Sequence, residues 1–310
     1  MATITEAQQT RVAPREKAFN PFGDWVGLVP FGLFILLFMF IPLTNLFAGA
    51  FQDDKGHFTL NNIVALSDPY VLKSFTVSLQ VAAITAVAGG IFGFLVAYAI
   101  TIGKAPGWMR NILMTFSGLA VNFGGVPLAF AFIATLGHTG FVTAILRNIC
   151  FAGPNGTQNC PFDIYQAGFT LYSVLGLSLA YIYFEFPLMV LTIIPALESL
   201  RNEWREASDN MGGTVLDYWR YVAFPMLLPS IIGSSILLFA ASYGAFATAE
   251  ALTGGSISLV TILIDQQING DVLNNPNEGY ALALGVVVVV GIYIVAALIL
   301  QRRASQWAKR

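Results

Sequence analysis

An all-α, polytopic membrane fold follows from three observations. The chain is 56% hydrophobic and only 10% charged, its apolar residues gather into six membrane-length segments, and its basic residues lie mostly on one side of those segments. The segments run roughly 26 to 48, 75 to 102, 111 to 136, 169 to 197, 226 to 250 and 280 to 300, each long enough for about 30 Å of hydrocarbon at about 1.5 Å per residue. Although 310 residues would suffice for two soluble domains, one helical bundle absorbs them. The expected organisation is a polar tail at 1–25, a transmembrane domain at 26–301 and a second tail at 302–310.

With the N-terminus inside, the inner segments carry Arg11, Arg15, Lys17, Lys104, Arg110, Arg201, Arg205, Arg220, Arg302, Arg303, Lys309 and Arg310, leaving Lys55, Lys73 and Arg147 outside. Because Lys and Arg resist translocation, this asymmetry predicts cytoplasmic termini and a cytoplasmic loop at 198–225. Ala48-Gly49-Ala50 imitates a signal-peptidase site, but the preceding apolar segment exceeds a signal core and follows a long polar tail, so it reads as an uncleaved anchor. A net charge of -2 without a Lys/Arg cluster points away from nucleic acid.

The third segment contains Asn122-Phe-Gly-Gly-Val-Pro127, and the fifth contains Ser242-Tyr243-Gly244 with Thr248. Glycine and proline loosen a transmembrane helix where other groups can satisfy its backbone, a feature of translocation paths. Close packing through small residues accounts for the glycines equally well. Two carboxylates stand in or at the edge of spans, Glu185 before Pro187 and Glu250 at the end of the fifth segment. A buried charge is costly in lipid, so Glu185 is either a substrate or gating contact or a structural hydrogen-bonding group, while Glu250 can reach interfacial water. The candidate pathway residues are therefore Asn122, Glu185, Ser242, Tyr243, Thr248 and Glu250.

Outside the spans, 49–70, 137–168 and 251–279 are expected to form an outer surface facing a soluble partner. Cys150 and Cys160 flank a turn-rich stretch that a disulfide would close in an oxidising compartment, two free thiols being the alternative. There is no catalytic constellation. Gly103-Lys104 is followed by Ala105 and has Tyr98 where a phosphate-binding loop needs its first glycine. His57 and His138 lack partners at ligand spacing, so no metal site is expected.

The most informative stretch is 198–225, charged and set between two apolar segments. Leu200, Trp204, Ala207 and Met211 recur at helical spacing to form one apolar stripe. Gly212-Gly213 ends that helix, Thr214 caps a second with Asp217 three residues on, and Pro225 marks the start of a further helix. Without a partner, such an amphipathic helix would lie on headgroups, anchored by Trp204, Tyr218 and Trp219.

Glu206-Ala207-Ser208, three residues, Gly212, nine residues and Val222-Ala223-Phe224-Pro225 resemble the EAA loop of bacterial binding-protein-dependent ABC importer permeases. The spacing agrees throughout, with Ser208, Val222 and Phe224 departing mildly from the commonest residues. The resemblance extends over most of 71–300 and implies a type I importer: two permease subunits in the inner membrane, identical or homologous, two ATPase subunits and an extracytoplasmic substrate-binding protein. It assigns ATPase coupling to Leu200, Trp204, Glu206, Ala207, Ser208, Met211, Gly212 and Pro225. ATP and magnesium would be bound by the ATPase subunits, with no cofactor in this chain. Gly124-Gly125-Val-Pro-Leu-Ala-Phe-Ala-Phe and Gly244-Ala-Phe-Ala-Thr, followed by Leu252-Thr-Gly-Gly, are most similar to spermidine/putrescine-type permeases. A polyamine is therefore the expected solute, and Tyr243 would suit an amine through a cation-π contact. Iron(III), thiamine, sulfate and phosphonate are the alternatives. A self-contained secondary transporter or channel is the rival class, disfavoured by the lack of an evident inverted repeat and of several intramembrane charges.

Overall fold

The computed structural model describes residues 28–103, 105–149, 151–152, 158–159, 164–166, 168–270 and 275–307. The chain divides into two units, 1–48 and 49–310. In the first, helix α1 (Val29–Ala50) has Pro30 in its first turn and contains a π-turn over Leu36–Phe40; its last two residues fall in the second unit.

Among its described residues the second unit is built of helices, with one short hairpin, β1 (Phe151–Ala152) against antiparallel β2 (Gln158–Asn159), and a single bridge between Gln52 and Phe58. After α2 (Asn61–Ala65), α3 (Pro69–Thr101) starts where Asp68 accepts the Tyr70 N–H and Pro69 occupies the first turn. Helices α4 (Gly107–Asn122), α5 (Val126–Leu136) and α6 (Phe141–Asn148) follow. Then come α7 (Val174–Glu198), α8 (Asn202–Asn210), α9 (Val215–Tyr243), α10 (Ala247–Thr253), α11 (Val260–Asn269) and α12 (Pro276–Trp307).

Six helical stretches are long and apolar enough to cross a membrane, as expected, but three details differ from the sequence reading. The 111–136 segment is two helices, because Gly125 adopts φ +75° and Pro127 occupies the first turn of a new helix; the membrane-length stretch here is Val126–Asn148. The fifth segment likewise ends at Tyr243, and α10 begins after a turn at Gly244–Phe246. Pro225 does not open a separate helix. Trp219–Ala223 forms a π-turn in which the Phe224 N–H reaches the Trp219 carbonyl, and this shift of register admits the proline within one continuous rod. In the outer stretches α6 and α11 form, and the Val260 N–H binds Ser78 Oγ at 2.9 Å.

Helix α7 lies at the centre and packs along α3. The approach is close because α3 presents glycine every fourth residue. A Cβ on Gly89 would lie 2.7 Å from Glu185 Cβ, and one on Gly93 would lie 2.5 Å from the Phe186 carbonyl oxygen. Small residues spaced by four let two backbones meet where lipid supplies no hydrophobic drive. Around this pair, Val190, Ile193 and Ile194 of α7 and Leu227 and Leu238 of α9 are buried. Phe239 stacks on Tyr293 of α12 with centroids 4.0 Å apart.

Candidate functional site

Two places concentrate the polar residues singled out above. The first is the loop after α7. Helix α8 ends at Gly212, whose φ of +79° a side-chain-bearing residue rarely adopts, and the Gly213 N–H returns to the Ser208 carbonyl at 2.9 Å. This turn folds over Ser208, which is buried; a Cβ on Gly213 would lie 2.7 Å from Ser208 Oγ. Position 213 therefore has no room for a side chain unless Ser208 moves. Thr214 and Asp217 form a complete capping box, with the Thr214 N–H on Asp217 Oδ2 at 2.9 Å and the Asp217 N–H on Thr214 Oγ1 at 3.3 Å.

Leu200 precedes α8 rather than belonging to it and packs on the core. Trp204 is half-buried, Ala207 and Glu206 are exposed, and Met211 is 83% exposed. Trp204, Ala207 and Met211 face Tyr221, Val222 and Met226 across an apolar groove of about 490 Å³. Pro225 sits behind the π-turn that shapes the far wall of this groove.

The second place is inside the bundle. Ser242 donates to Glu185 Oε1, while Thr85 Oγ1 lies 2.7 Å from Ser242 Oγ and 3.4 Å from the same carboxylate oxygen. Three helices, α3, α7 and α9, thus meet on one acid. Glu185 is 0% exposed, and its Oε2 has no hydrogen-bond partner among the described residues. Tyr243 is 2% exposed and stacks on Phe239, and Tyr181 donates to the Ala245 carbonyl at 3.0 Å.

The helix breaks of α4/α5 and α9/α10 also come together. The Gly125 N–H donates to Thr248 Oγ1 at 2.7 Å, and beside this bond Gly124, Phe184, Leu188, Ala245 and Phe246 line a cavity of about 300 Å³. Asn122 points elsewhere, its amide donating to the Gly118 carbonyl at 2.9 Å on the exposed side of α4. Glu250 is half-buried in α10. Of the pathway candidates, then, Glu185 and Ser242 touch each other, Thr248 joins the breaks, Tyr243 is enclosed, and Asn122 and Glu250 stand apart from the acid's hydrogen-bond network. The proposed pairing of Cys150 with Cys160 lies outside the described residues.

Sequence reasoning passed over Thr85, Gly89 and Gly93. The Gly-x-x-x-Gly spacing was a usable signal for the glycines. Thr85 gave none, since nothing local shows which hydroxyl of a long helix meets a distant acid.

Six membrane-length helices and one tightly capped loop are the features that a family assignment has to accommodate. The chain belongs to the family described as binding-protein-dependent transport system inner membrane component, whose profile matches residues 89–306. The sulfate transport system permease protein CysT of Salmonella typhimurium is 28% identical over 222 residues, 72% of this chain and 72% of that one. Sulfate permease protein CysW of Escherichia coli strain K12 is 25% identical over 269 residues, 86% of this chain and 82% of that one. A chain of a bacterial ABC transporter that imports the acidic polysaccharide alginate is similar with a TM-score of 0.69 at 16% identity, covering 91% of this chain and 96% of that chain, a likeness of fold alone. These relatives are named for sulfate rather than for spermidine or putrescine, so they favour one of the alternatives over the polyamine expectation.

Proposed function

We propose that this chain is the membrane-spanning subunit of an ATP-driven importer and that its solute is a sulfate-class oxyanion. It would work with a second permease subunit, two ATPase subunits that bind ATP and magnesium, and an extracytoplasmic binding protein that delivers the solute. The observation that carries the reading is the α8 loop. An apolar groove opens beside a short helix whose exit is set by Gly212 and whose return is set by the Thr214–Asp217 box, a rigid knob with an unpartnered apolar face. A lone amphipathic helix on headgroups has no use for so constrained a return. Twelve basic residues of the fifteen on the loop's side support a cytoplasmic loop and cytoplasmic termini. An alginate importer of similar fold has been seen in complex with an alginate pentasaccharide-bound periplasmic protein.

For the solute, the supports are the sulfate-named relatives and the enclosure of Glu185 and Tyr243. A carboxylate that is buried and hydrogen-bonded by two hydroxyls offers a passing polyamine neither an open charge nor an open ring face. The test is uptake of radiolabelled sulfate and of labelled spermidine by cells expressing this chain with its ATPase and binding protein. Sulfate uptake that vanishes in an ATPase-dead background is the expected result. Spermidine uptake without sulfate uptake overturns the solute, and sulfate uptake independent of ATP hydrolysis overturns the importer.

A further inference from the structure

At the end of the bundle that bears the α8 loop, the last turn of α3, the first turn of α4, the root of α8 and the start of α9 enclose a second cleft, of about 560 Å³. Its character is opposite to that of the apolar groove. Arg110, Arg201 and Arg205 line it, with Tyr98, Tyr218 and Trp219 on the wall. Tyr98 meets Trp219 edge-on at 5.2 Å between centroids, so this wall is fixed. One arginine is neutralised, Arg110 by Glu198 across the mouth of the cleft. Arg201 and Arg205 have no ion pair among the described residues, and they are spaced four apart, where like charges along a helix repel. Arg201 is also the N-cap of α8 and supplies no side-chain cap, while Glu203 stands in the first turn.

We propose that this cleft binds a tetrahedral oxyanion through Arg201 and Arg205. Guanidinium groups match sulfate and phosphate oxygens two at a time, and basic pockets between helix ends at a membrane surface take phosphate headgroups for the same reason. The shared chemistry has two sources, a free inorganic anion or the headgroup of an anionic lipid. Bound there, the anion bridges the N-cap of α8 to Arg205 one turn on. The ligand shares the chemistry of the proposed solute, but its donors lie on α8 and not in the bundle interior, and the double variant below separates this site from the proposed function.

The experiment uses the full chain purified into nanodiscs of phosphatidylcholine, with and without phosphatidylglycerol. Thermal unfolding is followed while sodium sulfate or sodium phosphate is titrated against sodium chloride at matched ionic strength. The expected result is a saturable rise in Tm with sulfate or phosphate in phosphatidylcholine discs, which assigns a free anion, or a rise on adding phosphatidylglycerol alone, which assigns a headgroup. In either case the Arg201→Ala/Arg205→Ala pair weakens the response at least tenfold, whereas Arg220→Ala, outside the cleft, leaves it unchanged. Circular dichroism guards against misfolding, and Arg201→Lys/Arg205→Lys, which keeps the charge, retains part of the response. No saturable response to either source, or an equal response in the double alanine variant, overturns the site.

Discussion

Thr248 Oγ1 accepts the Gly125 N–H at 2.7 Å, a bond between residues 123 apart that pins the break in the third apolar segment to the break in the fifth. A helix break frees backbone groups that lipid cannot satisfy, and here the Thr248 hydroxyl supplies the acceptor that the Gly125 N–H needs. Without Thr248, Gly125 would present a bare N–H beside the cavity at this junction. We therefore expect Thr248→Val, which keeps the shape but not the acceptor, to destabilise the folded protein by about 1–3 kcal/mol. Thr248→Ser should be close to wild type. Reversible unfolding in mixed micelles measures both, and equal stability of the valine and serine variants would remove the pin.

Close approach of α3 to α7 makes a sharper expectation. Gly93→Ala forces a Cβ to within 2.5 Å of the Phe186 carbonyl oxygen, a rigid backbone atom. Overpacking of this kind costs about 1–3 kcal/mol, and more where neither helix can yield. Gly90→Ala is the internal control, because its Cβ would lie at an ordinary 3.6 Å from a methyl of Leu238. Thermal stability should fall for position 93 and hold for position 90.

How legible these features were depends on how far apart their parts lie in the chain. Gly212, Thr214 and Asp217 act within a few residues of one another, so propensity and spacing predict the helix exit and the capped return as the structure has them. The Gly124-Gly125-Val-Pro and Ser242-Tyr243-Gly244 clusters announce loosened helices, but nothing in either announces that Thr248 bonds Gly125. Glu185 reads as a costly group that needs company, and its partners, Thr85 and Ser242, lie 100 and 57 residues away. Pro225 misleads because a proline that would start a new helix is also tolerated after a π-turn, which is a property of the backbone register rather than of composition.

At the loop, Gly212→Val places a β-branched residue at φ +79°, where such residues are penalised. Thr214→Ala removes one partner of the capping box, at about 1 kcal/mol. On the proposed function, Gly212→Val should abolish solute-stimulated ATP hydrolysis in the reconstituted complex, and Thr214→Ala should reduce it severalfold, both without loss of the transmembrane fold. Glu206→Lys reverses an exposed charge on the same helix and should weaken ATPase capture in a pull-down. Wild-type coupling in all three variants would leave the loop without the role proposed for it.

Glu185 separates the two solute readings most directly. If it attracts a cation in transit, its charge is what counts, and Glu185→Gln should depress transport of an amine while leaving the fold alone. If it is a helix pin, what counts is the oxygen that accepts from Ser242 and Thr85, and the glutamine amide oxygen can replace it. The burial of the acid and its place against Gly89, whose Cβ would touch it, both support the pin. We therefore expect Glu185→Gln to keep sulfate uptake within about twofold and Tm within about one degree of wild type, shifts that correspond to less than about 1 kcal/mol. Glu185→Leu should do worse, because it withdraws the shared acceptor and leaves Ser242 only the Thr85 hydroxyl, at 2.7 Å, which itself donates to the Val81 carbonyl at 2.9 Å. Ser242→Ala should fall between them, since Thr85 still reaches the acid. A Glu185→Gln variant that folds and assembles normally but has lost transport would show that the carboxylate itself takes part in translocation.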